Sequence, residues 1–320
     1  MPPHPSSAPF PSPRRPIRGT GGAVPLSAGK MRFIFNPHSG NFRRNEQLLS
    51  LLRHFLATSG VDGDLQLTTG PGHATALARE AVRHGCGRVI AIGGDGTVNE
   101  VAQGLRHTAA ALAIVPTGSG NGLARHLRLP SDPEAALRLA TAPQARIVAL
   151  DYGTVNGRPF FNAMGFGLDA EISRRFNRLK RRGLPAYVRT ALAAFFSRTS
   201  EPCVVSDHHG REAMEILLLA VANSDQYGNG AVIAPGARMD DGELDLVAVR
   251  PVGLIAATLL GARLFLGTFD RGAAVRRLRG ARFRIERAAP GDIHTDGEVH
   301  AAAAVLDVVV HPRSLHVVVP

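Results

Sequence analysis

An α/β domain with a mostly parallel sheet, followed by a second, β-rich domain, is the fold class this sequence predicts. Three observations carry it. From Met31 onward, short apolar runs alternate with stretches of helical period across short connections, the pattern of an open α/β sheet. Near residue 146 this alternation gives way to strand-like runs divided by turn residues. The chain has 320 residues, 44% hydrophobic and 20% charged, enough for two ordinary domains with a buried core.

Taken in order, MRFIF (31–35) reads as a strand and NPHSG as the turn after it. Residues 45–58 place Leu48, Leu49, Leu52, Phe55 and Leu56 on one face of a helix. DLQLT (64–68) is a strand, residues 73–84 a helix ended by Gly85, RVIAI (88–92) a strand and 97–106 a helix. ALAIV (111–115) is the next strand. The helix beyond it has Asp132 as cap and Pro133 in its first turn. RIVALDYGTV, Asn156-Gly157 and RPFFNAM form a hairpin. Strand-like runs follow at 203–206, 214–222, 244–249, 281–287 and 303–310, with helical stretches near 168–198 and 252–268. The first thirty residues, rich in Pro, Ser and Arg without an apolar run, read as a disordered tail or as translation from an upstream start. Folding is expected to begin near Met31.

Composition narrows the function. The net charge of +11 suits anionic partners. Two cysteines, Cys86 and Cys203, give neither a disulfide scaffold nor a zinc spacing, and a cytoplasmic location fits. With 5% aromatics, no Trp and no binding motif, a nucleic-acid partner is not expected. The apolar stretch 252–269 is the best candidate for a membrane span, but it carries Arg263 and is short, so a buried helix is the expectation.

Two glycine loops sit at predicted strand ends, where open α/β sheets bind ligands. Gly93-Gly94-Asp95-Gly96-Thr97 is the first. Thr97 and Glu100 have capping-box spacing, and free N–H groups at such a helix start face an anion. An Asp there repels phosphate unless a cation intervenes, which points to Mg²⁺ at Asp95. A tight turn with Asp95 as a local acceptor is the other reading. Residues 116–122, PTGSGNG, form the second loop. It matches GxGxxG only loosely, and no GxxxxGK[ST] is present. Two such loops on adjacent strand ends suit a polyphosphate.

NPHSG (36–40), GGDGTVNEV (93–101), PTGSGNGLAR (116–125) and TDGE (295–298), in this order, make the chain similar to the diacylglycerol kinase catalytic-domain family, which includes sphingosine kinases and bacterial soluble lipid kinases. The resemblance runs from Met31 to Pro320. It implies an ATP-binding domain over 31–148, a β-sandwich-like lipid domain over 149–311, and a return of residues 312–320 to the first. It implies an ATP- and Mg²⁺-dependent kinase of a lipid hydroxyl, diacylglycerol or sphingoid in type. Asn36 and Ser39 would line the nucleotide site, with Thr68 or Thr69 nearby. Gly93, Gly94, Asp95, Gly96, Thr97, Gly118 and Ser119 would hold phosphates, and Glu298 would be the general base. In residues 235–245, Asp241 would give a carboxylate to a structural Mg²⁺, beside the backbone carbonyls of Arg238 and Glu243. Asp169 matches an acidic position linked to the acceptor hydroxyl.

Two departures stand out. Asn41 replaces a common Lys, for which Arg43 or Arg44 is the substitute, and Gly122 replaces a common Asp. A GGDGT loop also occurs in NAD kinases, although NPHSG and PTGSGNGLAR are unlike them. A catalytically silent lipid- or nucleotide-binding protein is the other alternative. The basic, partly apolar segment 174–198 is expected either to dock peripherally on an anionic membrane or to pack on its own domain. The sequence leaves the oligomeric state, a homodimer included, open.

Overall fold

The structure, a computed structural model, describes residues 29–37, 42–177, 194, 200–228 and 230–320. The first unit runs β1 (Met31–Phe35), α1 (Phe42–Thr58), β2 (Gly63–Leu67), α2 (His73–Arg83), β3 (Arg88–Gly93), α3 (Asp95–Leu105), β4 (Ala111–Pro116), α4 (Gly122–His126) and α5 (Pro133–Thr141). Strands β2, β1, β3 and β4 lie side by side in that order, every pairing parallel. β1, β3 and β4 are buried at each residue, because uninterrupted apolar strands need cover on both faces. On one face α1 and α5 bring Leu48, Leu52, Ala136 and Leu137 against Phe33, Phe35, Ile90 and Ile92. The other face meets Leu77, Ala81, Val101, Leu105 and Leu123 from α2, α3 and α4. Asp132 caps α5 by accepting the Ala135 N–H at 2.8 Å.

The second unit contains β5 (Arg146–Val155), β6 (Arg158–Phe160), β7 (Ala163–Gly167), α6 (Leu168–Asn177), β8 (Glu201–Asp207), β9 (Gly210–Ile216), β10 (Leu218–Ala222), β11 (Gln226–Gly228) and β12 (Ala231–Val232). It continues with β13 (Leu244–Val249), α7 (Leu254–Leu266), β14 (Val275–Gly280), β15 (Arg282–Arg287), β16 (Gly291–Thr295), β17 (Glu298–Ala302) and β18 (Val305–Val319). Antiparallel strands in the order β14-β13-β10-β7-β16-β17 form its own sheet. Met164, Phe166, Leu219, Val221 and Leu246 of that sheet meet Phe160, Phe283, Ile285, Leu306 and Val308 across a common core, as in a sandwich.

β18 belongs to both units. Its last residues lie parallel to β4, His316 opposite Ala111 and Val317 opposite Leu112, while its first residues pair antiparallel with β15. β5 runs antiparallel along nearly its whole length. One ten-stranded sheet therefore passes from the parallel domain into the sandwich.

Two expectations are corrected here. The run 214–222 is divided at Leu217, whose N–H bonds to Val249 and whose carbonyl accepts the Leu168 N–H, so β9 and β10 belong to different sheets. The stretch 252–269 is not a buried helix: only Leu260 of α7 is buried, and the helix roofs a cavity instead of packing flat on its sheet. Among the described residues no helix is long and apolar enough to cross a membrane.

Candidate active site

β3 and β4 are neighbours, so their C-terminal loops meet. A Cβ on Gly118 would lie 2.6 Å from the Gly94 Cα, so the loops touch backbone to backbone and only glycine permits it. Helix α3 starts at Asp95 with Gly94 as its cap, and its first N–H groups point out of the strand end. The Asp95 carboxylate crosses to the second loop. Its Oδ2 accepts the Asn121 N–H at 2.8 Å and its Oδ1 the Gly122 N–H at 2.7 Å. Asn121, in a left-handed conformation, closes the same loop by bonding the Gly118 N–H and carbonyl through its side chain. The Asn36 amide donates to the buried Thr97 hydroxyl at 3.4 Å. Thr68 is buried beside the end of β1, and the Thr69 hydroxyl contacts the His73 Nδ1 at 3.0 Å. Thr97 and Glu100 form no capping box. The Glu100 carboxylate instead accepts the N–H groups of Gly72 and Ala74 at the start of α2.

Glu298 opens β17, just after a tight turn in which Asp296 and Gly297 both have positive φ. Its side chain is exposed and makes no hydrogen bond or ion pair among the described residues. The turn itself is anchored. The Asp296 carboxylate accepts the N–H groups of Phe161, Asn162 and Ala163 at 2.7–3.0 Å. Burial pushes its pKa up to about 6, against the pull of those three donors. Asn162 stands beside the second glycine loop, where a Cβ on Gly122 would lie 3.6 Å from its side chain. Close by, the buried His126 and Asp225 join α4 to the sandwich domain at 2.7 Å.

The sandwich domain holds an apolar cavity of 460 Å³ under α7, lined by Leu217, Leu218, Val249, Leu260, Leu264 and Phe269 among others. Its polar wall residues include Asp169 and Tyr227. The Asp169 Oδ2 accepts the Tyr227 O–H and the His294 Nε2–H, each at 2.7 Å. In that tautomer the His294 Nδ1 accepts the Gly297 N–H at 3.3 Å. Burial opposes charge on His294, yet the Asp169 charge and hydrogen bond, with Asp296 behind them, raise its pKa overall. The cavity wall and the Glu298 turn are therefore two hydrogen bonds apart.

Residues 30–155 match the family model described as diacylglycerol kinase catalytic domain, and residues 162–319 match that described as YegS C-terminal NAD kinase beta sandwich-like domain. A Pseudomonas putida protein named "Probable lipid kinase YegS-like" is 32% identical over 275 residues, 83% of this chain and 88% of that protein. The chain belongs to the diacylglycerol kinase catalytic-domain family. A Chromohalobacter salexigens protein with the same printed name is 37% identical over 192 residues, 58% of this chain and 61% of that one. The Bacillus subtilis protein named "Diacylglycerol kinase" is 27% identical over 304 residues, 91% of this chain and 96% of its own. A crystal structure from Bacillus anthracis str. Sterne gives a TM-score of 0.75 at 24% identity, covering 91% of this chain and 97% of that one, a likeness of fold.

The loop 235–245 carries paired charges. The Asp241 Oδ2 meets Arg279 at 2.6 Å and its Oδ1 accepts the Glu243 N–H at 3.1 Å. Glu243 also meets Arg279, and Arg238 pairs with Asp240, both at 2.9 Å. Among the described residues no group of three or more His, Cys, Asp or Glu is arranged to hold a metal. The guanidinium of Arg279 lies against the carboxylates of both Asp241 and Glu243. Ser39 and Asn41 lie outside the described residues, as does most of 174–198. Reading the sequence did not single out Tyr227, His294, Asp296 or Asn162. Asp296 sits inside the TDGE motif and was open to notice as an acid in a tight turn. Tyr227 carried no signal, because its partner Asp169 is 58 residues away.

Proposed function

We propose that the chain transfers the γ-phosphoryl group of ATP to the hydroxyl of a lipid alcohol, with Glu298 as general base. One observation carries the reading. The Glu298 turn is tied through Asp296 and Asn162 to the glycine loops, and through His294 to Asp169 at an apolar cavity.

The phosphates rest on N–H groups of Gly94, Gly96 and Thr97, with the Gly118 backbone and the Ser119 hydroxyl alongside, and Asn36, Ser39, Thr68 and Thr69 border the nucleotide. Backbone donors fixed in advance cost no reorganisation as charge shifts from the γ-phosphoryl to the leaving ADP. Asp95 holds the second loop at the distance the phosphates need. Its two oxygens already accept N–H groups, so contact with a cation would run through water. Mg²⁺ bound with the nucleotide supplies neutralisation of the phosphate oxygens. The acyl part of the acceptor fills the cavity, and its polar end meets Asp169. Glu298 takes the hydroxyl proton as the oxygen attacks γ-phosphorus and the bond to ADP breaks, a contribution of roughly 10²–10⁴-fold. The lipid lies at a membrane surface and the ATP on its cytoplasmic side, so the reading is of a cytoplasmic enzyme in peripheral contact with the bilayer.

The test is purified protein with γ-labelled ATP and a panel of diacylglycerol, a sphingoid base, ceramide, a polyprenol and NAD. Label in one lipid alcohol, dependent on Glu298, is the expected result. Label in NAD and in no lipid would overturn the reading in favour of the kinase whose sandwich domain shares the second family description.

A further inference from the structure

Six large apolar side chains are exposed among the described residues, and five of them, Leu254, Ile255, Leu259, Phe265 and Leu266, lie on α7. Ile255 is 88% and Leu266 70% accessible. Such a concentration on one element marks an interaction surface.

The helical period divides these residues into layers. Ile255, Leu259 and Leu266 share the outward face. Ala257, Leu260 and Leu264 share the opposite face and line the cavity. Leu254 and Phe265 lie on the flank between, where they are exposed and line the cavity as well. Apolar surface therefore continues without a break from the outside of α7, around its rim, into the cavity that ends at Asp169.

Charge identifies the partner. Residues 246–269 contain no acid but include Arg250 and Arg263, and Arg271 follows. Arg250 and Arg271 are exposed, while Asp270 is occupied by Arg277 at 3.3 Å. A second copy of the chain laid on this face would bring arginines against arginines. An anionic bilayer offers acyl chains to the leucines and head groups to the arginines.

We propose that α7 is the membrane-docking element of this protein. Its outward face enters the head-group boundary of an anionic bilayer, and the lipid acceptor passes around the Leu254–Phe265 flank into the cavity. This docking role deepens the lipid kinase reading and rests on it for the identity of the cargo. α7 is a different segment of the chain from residues 174–198, on which the sequence first placed membrane contact.

The experiment is co-sedimentation of the full chain, without ATP, with vesicles of phosphatidylcholine alone or mixed with phosphatidylglycerol. The variants are the combined Ile255→Ser, Leu259→Ser, Leu266→Ser chain and the Arg250→Gln, Arg271→Gln chain, none of these positions lining the cavity. Binding is expected only with the anionic lipid and weaker at high salt. The serine chain should partition roughly a hundredfold less, and the glutamine chain should lose the preference for anionic lipid. Phosphorylation of a short-chain, water-dispersed lipid alcohol should be unchanged in both. Wild-type binding by the serine chain would overturn the proposal. So would a wild-type dimer in solution that the serine substitutions dissociate. If no acceptor is phosphorylated but vesicle binding behaves as stated, the kinase reading falls and the docking surface stands.

Discussion

At the scale of single residues, the two loops depend on close approaches that a methyl group would block. A Cβ on Gly120 would sit 2.5 Å from the Asp95 Oδ2, so Gly120→Ala must push the carboxylate off the Asn121 N–H. Calorimetry should show ATP binding weakened about tenfold or more, with the fold intact, since a lost hydrogen bond of this kind costs about 1–3 kcal/mol. Native affinity would show that the Asp95 bridge does not shape the phosphate site. His294 gives a pH prediction. Its pKa is raised in the fold, so the stability from the Asp169 pair is fully present below the usual histidine value. That stability is lost as pH rises through the higher, folded value. The thermal midpoint should fall over that window in the wild type and be flatter in Asp169→Asn; equal slopes would contradict the pair. Protonation also removes the lone pair that Gly297 uses, so the pair favours the proton and the turn favours its absence. The glycines and Asp95 were legible as a strand-end loop because spacing and chemical type mark them, whereas Glu298 was reached only through the family resemblance. The destination of the Asp95 carboxylate was not legible, because its partners are backbone groups 26 and 27 residues away.

At the scale of elements, tight turns and buried strands were the easiest to read. Asn156-Gly157 forms the expected hairpin, with φ of 48° and 81°, and its Asn side chain also bonds the backbone of Val305 and Asp307 in β18. β1, β3 and β4 announced themselves as apolar runs. β14 did not, because VRRLRG keeps its arginines at the sheet surface through pairs with Glu212, Asp241 and Asp245. β16 and β17 are short and polar, and their place is fixed by the Asp296 turn. Gly297 has φ of 86°, which L residues adopt at a cost of about 1 kcal/mol or more. Gly297→Ala should therefore lower the thermal midpoint by a few degrees and lower kcat, leaving ATP affinity alone. A kcat at the wild-type level would show that the geometry of this turn does not govern Glu298.

At the scale of the whole molecule, β18 makes the two domains one sheet. Deleting residues 315–320 would strip β4 and β5 of a partner and remove Leu315, Val317 and Val319 from the core of the first domain. Loss of a central strand should leave no cooperative transition by circular dichroism, and a native-like midpoint would show that the C-terminal strand is dispensable. The order of the motifs made the two-part architecture readable. The continuous sheet was not readable, because the pairing of β18 with β4 joins segments about 200 residues apart through contacts that no local pattern encodes. One arrangement emerges at this scale, in which the turn before Glu298 is bonded through Asp296 to Asn162 beside the second glycine loop, and through His294 to Asp169 at the apolar cavity. Single-turnover transfer from labelled ATP to the acceptor, in wild type and Glu298→Gln, tests that arrangement most directly when ATP affinity is measured in parallel. The predicted result is a rate lowered roughly 10²–10⁴-fold with ATP affinity unchanged. An unchanged rate, or a loss of ATP binding that accounts for the whole effect, would contradict it.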